Sequence, residues 1–377
     1  MAEALRRMGI LTGGGDCPGL NAVIRAVVKT AVFQHQIDVI GIENGYWGLI
    51  HDRMRPLTTS DVGGILARGG TILGSSNRDN PFRVPTIENG EKVFRDFSDQ
   101  AIKNAQRHGL QVLIAVGGDG SLSIARDLSG RGIRMIGVPK TIDNDLGATD
   151  VTFGFDSALA IATEAVDRLH TTAMSHQRVM VLEVMGRYAG WIALQAGLAG
   201  GGDVILIPEI PFEVEKVADA IRERTYHGRP FAIVVVAEGA QPKGGSMVVT
   251  KTVADSTDPI RLGGIGQYVA SELERLLDLE TRATVLGHLQ RGGVPTPYDR
   301  ILGTRFGVRA VEAAVAGETD VMVRLHGRVI DTVSLAEAVK DIRRVDPNGD
   351  LVRTARSVGT CFGDLVSLSV GAPEPLA

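Results

Sequence analysis

The stretch VLIAVGGDGSLSIARDL, residues 112–128, decides how the rest of the chain is read. Val112 to Val116 is a short apolar, β-rich run, Gly117-Gly118-Asp119-Gly120-Ser121 interrupts it, and Ile124, Ala125 and Leu128 then recur at helical spacing. That is a buried strand, a glycine loop and an amphipathic helix in one unit. Met8 to Leu11 starts the same grammar again, followed by Gly13-Gly14-Gly15-Asp16 and a helix with Leu20, Val23, Ile24, Val27 and Val28 on one face. Pro18 is expected at the start of that helix, where a missing N–H does no harm. Further strands are expected at Met135 to Val138, Val179 to Val184, Val204 to Ile207 and Ile233 to Val236. Strands alternating with helices predict α/β layers on mainly parallel sheets. In such sheets ligands bind beyond the carboxyl ends of the strands, where both glycine loops fall.

Composition narrows the class. A length of 377 residues favours two domains, and 44% hydrophobic with 22% charged residues describes a globular chain. The net charge of -4, from 40 Lys+Arg against 44 Asp+Glu, leaves no basic excess for a nucleic-acid backbone, so any anion must be held by a local cluster. Cys17 and Cys361 are the only cysteines, which excludes a disulfide framework within the chain and fits a reducing cytosol. After Arg6 and Arg7 the apolar stretch stops at Gly13 to Gly15, too short for a signal sequence. Phe231 to Ala237 falls far short of the roughly 20 residues that span a bilayer. The expectation is a soluble, cytoplasmic protein with neither membrane nor nucleic-acid partner. The 47 glycines are spread in short groups between strand and helix patterns, not pooled in a linker. The histidines show no metal-ligand spacing, and Trp47 and Trp191 are too isolated for base stacking.

Glycine at a strand-to-helix turn lets backbone N–H groups approach phosphate oxygens, and the helix N-terminus adds favourable partial charge. Either loop alone serves a tight turn equally well. Two loops, each with an Asp, point to a polyphosphate. Neither is a Walker A sequence, and Pro18 stands where a dinucleotide fingerprint needs its third glycine. A nicotinamide-dependent oxidoreductase remains as the other enzyme reading.

Pro139-Lys140-Thr141-Ile142-Asp143-Asn144-Asp145 follows a strand end and places carboxylates at i and i+2, which an extended backbone would point the same way. Asp143 suits a general base and Asp119 a metal bridging phosphates, although either could merely cap a loop. Arg178, Arg187, Arg282, His288 and Arg291 supply cations near glycine-containing or strand-flanking segments. Each arginine taken singly also reads as a solvated surface charge. Glu238 ends the run Phe231 to Ala237, where it could accept sugar hydroxyls or serve a buried pairing.

Five ordered motifs resemble the 6-phosphofructokinase family: TGGGDCPGLN at Thr12 to Asn21, GGDGS at Gly117 to Ser121, PKTIDND at Pro139 to Asp145, EVMGRY at Glu183 to Tyr188 and TRATVLGHLQRGG at Thr281 to Gly293. The resemblance runs over roughly residues 7 to 335. It implies transfer from ATP, or in some members pyrophosphate, to the 1-hydroxyl of fructose 6-phosphate. The expected fold is two similar Rossmann-like three-layer α/β domains with the active site in the cleft between them. The expected boundaries are 1–154 plus about 290–340 for the donor domain and 155–289 plus about 341–377 for the sugar-phosphate domain.

By the same resemblance Gly14, Gly118, Asp119, Gly120 and Ser121 would hold the donor, with Asp119 binding Mg²⁺. Thr141, Ile142 and Asp143 would meet the acceptor, with Asp143 as base and Thr141, Asp145, Lys140, Gly120 and Arg187 in the catalytic group. Met185, Gly186, Arg187, Glu238, His288, Leu289, Gln290 and Arg291 look like sugar-phosphate ligands. Arg178 and Arg282 match residues supplied by a neighbouring subunit, which implies a homodimer or homotetramer.

Small Gly120 goes with ATP, whereas Lys140 resembles the pyrophosphate enzymes; the combination looks like the subgroup of ATP users that retain the lysine. In Gly74 to Asn80, Arg78 is taken over Asn77 as the donor-contacting residue. Arg25 matches an effector-site arginine, but Lys29 and His170 replace two others, so control by ADP or phosphoenolpyruvate is not expected. A silent nucleotide-sensing subunit would be expected to lack Asp119 or Asp143, and both are present.

Overall fold

Both strand, loop and helix units enter one sheet in the computed structural model, which describes residues 4–247, 249–252 and 260–365. The chain divides into two compact units, one from Met1–Ala158, Thr252–Ile260 and His288–Arg343, the other from Leu159–Lys251, Arg261–Gly287 and Arg344–Ala377. The first begins with β1 (Arg7–Thr12), α1 (Leu20–His35), β2 (Asp38–Ile42), α2 (Tyr46–Ile50) and β3 (Met54–Leu57). A hairpin of β4 (Val84–Glu88) and β5 (Glu91–Arg95) and then α3 (Ser98–Arg107) precede β6 (Val112–Gly117), α4 (Asp119–Ser129) and β7 (Met135–Pro139). Helix α5 (Phe155–His176) carries the chain into β8 (Val179–Val184), α6 (Trp191–Ala199), β9 (Val204–Leu206), α7 (Val214–Tyr226) and β10 (Ala232–Ala237). There follow β11 (Val249–Thr252), β12 (Ile260–Leu262), α8 (Ile265–Leu276) and β13 (Thr281–Val285). A 3₁₀ turn at Gly287–Arg291 leads to α9 (Pro297–Val315), β14 (Val321–His326), β15 (Val329–Ser334) and α10 (Leu335–Ala338), and α11 (Asp350–Ser357) belongs to the second unit.

The first unit is built on a seven-stranded sheet in the order β15-β14-β7-β6-β1-β2-β3. Its interior pairs are parallel and only the outermost strands, β3 and β15, run antiparallel to their neighbours. Ile10 lies opposite Ile114 and Thr12 opposite Val116, so the two glycine loops leave adjacent carboxyl ends. Both sheet faces are covered, which is why β6 is buried at every position and shows no polar alternation. Leu11, Leu113, Ala115 and Met135 join Leu122, Ala125 and Leu128 of α4 in one core cluster. Helix α9 packs against α1, β7 and β14. Each Leu or Ile so buried contributes about 1.5–3 kcal/mol.

The second unit has a four-stranded, wholly parallel sheet in the order β13-β8-β10-β9. Val179, Val181, Val234 and Val236 pack with Val217 and Ile221 of α7 and Val269 and Leu273 of α8, while α6 lies on β9 and β10. This is the expected α/β architecture, with sheets of unequal size. Pro18 is the exception to the expected helix start: α1 begins at Leu20 behind an N-cap Gly19 with φ 107°. The Phe153 ring lies 2.8 Å from where a Cβ at Gly19 would stand, so a glycine turn is needed before the helix can begin.

Candidate active site

Two different supports hold the glycine loops. In the first, Gly14 has φ 78° and its N–H donates to Ser76 O at 2.9 Å, while Ser75 Oγ donates to Gly14 O. Lys140 reaches across and donates from Nζ to Gly15 O. Arg291 Nη1 donates to Asp16 O at 3.2 Å, and a Cβ on Gly15 would stand 2.8 Å from that guanidinium. Lys140 is only 4% exposed. Burial holds its ammonium below the ordinary lysine range, Arg291 adds to that, and Cys17, Asp16 and Asp119 oppose it.

The second loop runs straight into a helix. Gly118 is its extended N-cap and Asp119 the first helical residue, so the leading N–H groups of α4 have no intrahelical acceptors and face the loop mouth. The first helical bond is Leu122 N–H to Gly118 O at 2.9 Å. The loops touch, because a Cβ on Gly13 would stand 2.7 Å from Ser121 Oγ. Tyr46, buried, donates from its hydroxyl to Ser121 O at 2.7 Å, and burial pushes its phenol well above the usual range.

The segment after β7 carries the acids. Asp143 and Asp145 are not on an extended strand, as their spacing predicts, because Asn144 is left-handed at φ 52°. Asparagine tolerates that conformation, and its Oδ1 accepts Thr152 N–H at 3.1 Å. Thr152 Oγ1 donates to Thr141 O at 2.8 Å, and Asp143 N–H donates to Thr141 Oγ1 at 3.1 Å. The bend nevertheless keeps the carboxylates near one another. Asp145 is pushed up to about 7, first by burial and then by the charges of Asp143 and Asp119. Ile142 is fully buried.

In the 3₁₀ turn His288 and Leu289 are exposed and Gln290 is buried. Arg78 is exposed, its N–H donating to Ser76 Oγ at 3.3 Å, and Asn77 beside it is exposed too.

The second unit brings its own predicted residues together. Glu238 N–H donates to Val184 O at 2.9 Å and Gly239 N–H to Gly186 O at 3.1 Å. The turns after the neighbouring strands β8 and β10 are thereby tied, placing Met185, Gly186, Arg187 and Glu238 at one end of the sheet. Gly186 has φ 134°, and a Cβ there would meet Ala189 O at 2.8 Å. Arg178 and Arg282 lie apart from this group, both ion-paired to Glu280, and Arg282 also pairs with Glu274 at 3.2 Å.

Sequence reasoning missed several supports. Asp299 is fully buried and accepts Gly154 N–H at 2.9 Å, Ser157 N–H at 2.8 Å and Ser157 Oγ at 2.6 Å. Burial pushes its carboxyl up to about 6. The legible signal was Thr296-Pro297-Tyr298-Asp299, where Thr296 Oγ1 caps α9 by accepting Asp299 N–H and Pro297 takes the first helical position. Nothing in the pattern announces Tyr46.

Among the described residues no three His, Cys, Asp or Glu side chains form a metal cage. No helix among them is long and apolar enough to cross a membrane.

The family profile described as phosphofructokinase matches residues 7–314. The "ATP-dependent 6-phosphofructokinase 2" of Clostridium perfringens is 54% identical over 366 residues, 97% of this chain and 100% of the relative. The "Pyrophosphate--fructose 6-phosphate 1-phosphotransferase" of Amycolatopsis methanolica is 52% identical over 342 residues, 90% of this chain and 96% of the relative. Among solved structures, Pichia pastoris phosphofructokinase in the T-state superposes with a TM-score of 0.75 at 34% identity over 90% of this chain. This chain covers 36% of that longer one.

Proposed function

We propose, because this chain belongs to the phosphofructokinase family, that it transfers the terminal phosphoryl group of ATP to the 1-hydroxyl of fructose 6-phosphate, the fructose 1,6-bisphosphate-forming step of glycolysis. The observation that carries the reading is the near full-length identity to the Clostridium perfringens enzyme named for that activity. The geometry supports it through the two adjoining phosphate-sized loops and the acids beside them.

The donor phosphates would lie on the Gly13 to Asp16 backbone and the α4 N-terminus, with Lys140 as a fixed cation beside them. Asp143 would orient the sugar hydroxyl and take its proton as the phosphoryl group departs. The bend at Asn144, braced by Thr152, and the bond from Asp143 N–H to Thr141 Oγ1 fix the backbone that carries Asp143. Mg²⁺ fits Asp119 as a shared ion: with no protein cage among the described residues, one carboxylate, donor phosphate oxygens and waters would complete its shell and spread the phosphate charge. The charge crowding around Asp145 is what such a cation would relieve.

Met185, Gly186, Arg187 and Glu238 are assigned to the sugar, with His288 and Arg291 on its phosphate. Arg178 and Arg282 are assigned to a neighbouring subunit's substrate in a homo-oligomer. The Arg282–Glu274 pair is exposed, and pairs of that kind are worth only about 0–1 kcal/mol, so Arg282 can exchange it for a phosphate at little cost, while the Arg178–Glu280 pair is half-buried. The proposed setting is the cytoplasm, which the free, buried Cys17 and Cys361 support.

Pyrophosphate as donor is the second reading, favoured by Lys140 at the first loop and by the Amycolatopsis relative. A coupled assay with fructose 6-phosphate and Mg²⁺, run with ATP and with pyrophosphate, separates them. Turnover with ATP is expected, and turnover with pyrophosphate alone would reverse the assignment. In the same assay Asp143→Asn should lose about two to four decades of kcat. A folded variant with near-normal turnover would remove Asp143 from the chemistry.

A further inference from the structure

Residues 68–80 contain neither helix nor strand, so other contacts must fix their path. Asn21 supplies three hydrogen bonds from one amide. Its Nδ2 donates to Arg68 O at 3.0 Å and Gly69 O at 3.3 Å, and its Oδ1 accepts Ile72 N–H at 2.9 Å. The side chain is 1% exposed and sits in the first turn of α1, where asparagine does little for the helix itself. Thr12 Oγ1 then donates to Gly74 O at 2.6 Å and Asn44 N–H to Leu73 O at 2.7 Å. From there the segment passes over the first glycine loop, with Ser76 O accepting Gly14 N–H and Ser75 Oγ donating to Gly14 O. At its other end Gly69 abuts the Gly293 backbone so closely that a Cβ has no room. Gly293 is two residues beyond Arg291, the arginine that donates to Asp16 O.

We propose that Asn21 is a positioning residue for the phosphoryl donor: its buried amide sets the path of residues 68–76 over Gly14 and so shapes the backbone cradle of Gly13 to Asp16. Asn21 itself touches no ligand. The role rests on the reading of that loop as the donor-phosphate site. The physical ground is that the amide's three partners are backbone groups of an irregular segment, which have no ladder to fall back on when the amide is removed.

Asn21→Ala and Asn21→Asp test it in the full-length protein, with melting temperatures checked first. Asp keeps an acceptor for Ile72 N–H but turns a second oxygen toward the Arg68 and Gly69 carbonyls. Both variants should raise KM for ATP by roughly tenfold, with kcat changed much less and KM for fructose 6-phosphate rising by a smaller factor. Trypsin should also cut the ligand-free variants after exposed Arg68 faster than the parent protein. A folded variant with unchanged KM for ATP, or with both KM values rising equally, overturns the proposal. So does failure of both variants to fold, which would assign Asn21 to general stability. If the parent protein does not use ATP at all, the donor reading fails while the tryptic result still reports on the strap, so the two failures are told apart.

Discussion

The two glycine loops look alike in sequence and are held by different physics. Gly117 to Ser121 passes directly into α4, and the N–H groups it presents are those of the helix N-terminus itself, a local property of five consecutive residues. Gly13 to Asp16 is followed by a further turn before α1 begins at Leu20, so its N–H groups are not aimed by a helix. It is shaped by groups from elsewhere in the chain: Ser75 and Ser76, Lys140 and Arg291. A helix N-terminus carries its partial charge wherever the helix forms. A cradle assembled from side chains works only when every contributor is in register, and it is the more vulnerable of the two.

The largest separation is expected at Asp119. Asp119→Asn removes the carboxylate of the second loop and should lower kcat by about two to three decades at saturating donor, with Mg²⁺ required at higher concentration. A loss below tenfold would reduce that loop to a backbone site like its neighbour.

Lys140→Ala acts on the first loop. Donor KM should rise by roughly tenfold, since a charge-assisted contact to phosphate is worth about 1.5–3 kcal/mol, and initial rates at varied ATP measure it. An unchanged donor KM would make Lys140 only a brace for the Gly15 carbonyl.

The smallest effect concerns the buttress behind the first loop, where the Asp299 backbone carbonyl lies 3.7 Å from the Cβ position at Gly19. The folded protein raises this carboxyl from 3.8 to about 6 because burial disfavours its charge. The neutral form is therefore the one the fold prefers. That contribution is present in full below the unfolded value and is lost as pH rises through about 6. Thermal melts of Asp299→Asn should show a flatter pH dependence than the parent across that window. Parallel curves would mean that Gly154 and Ser157 keep the carboxylate charged throughout.

Much of the fold was legible because burial leaves a pattern. Val179 to Val184 is a strand with the expected limits, and the apolar faces of α1 and α4 are the buried ones. Reading failed where conformation depends on a distant partner. Pro18 was expected to open a helix, but Phe153 occupies the space that a Cβ at position 19 would need, and Gly19 turns the chain first. The paired acids were expected on an extended segment, and the Asn144 bend braced by Thr152 was invisible in their spacing.

The sequence by itself determined the layer type, the strand-loop-helix units and the family, since each rests on local periodicity or on short motifs. Only the tertiary structure decided what stands around those motifs. It brought Lys140 and Arg291 onto the first loop and Asp119 within electrostatic reach of Asp145, and it buried Asn21 and Asp299 against backbone groups far along the chain. The reason is range. Periodicity reports each residue's exposure to solvent, whereas a hydrogen bond made across a hundred residues is set by sheet order and leaves no trace in the spacing of the residues that make it.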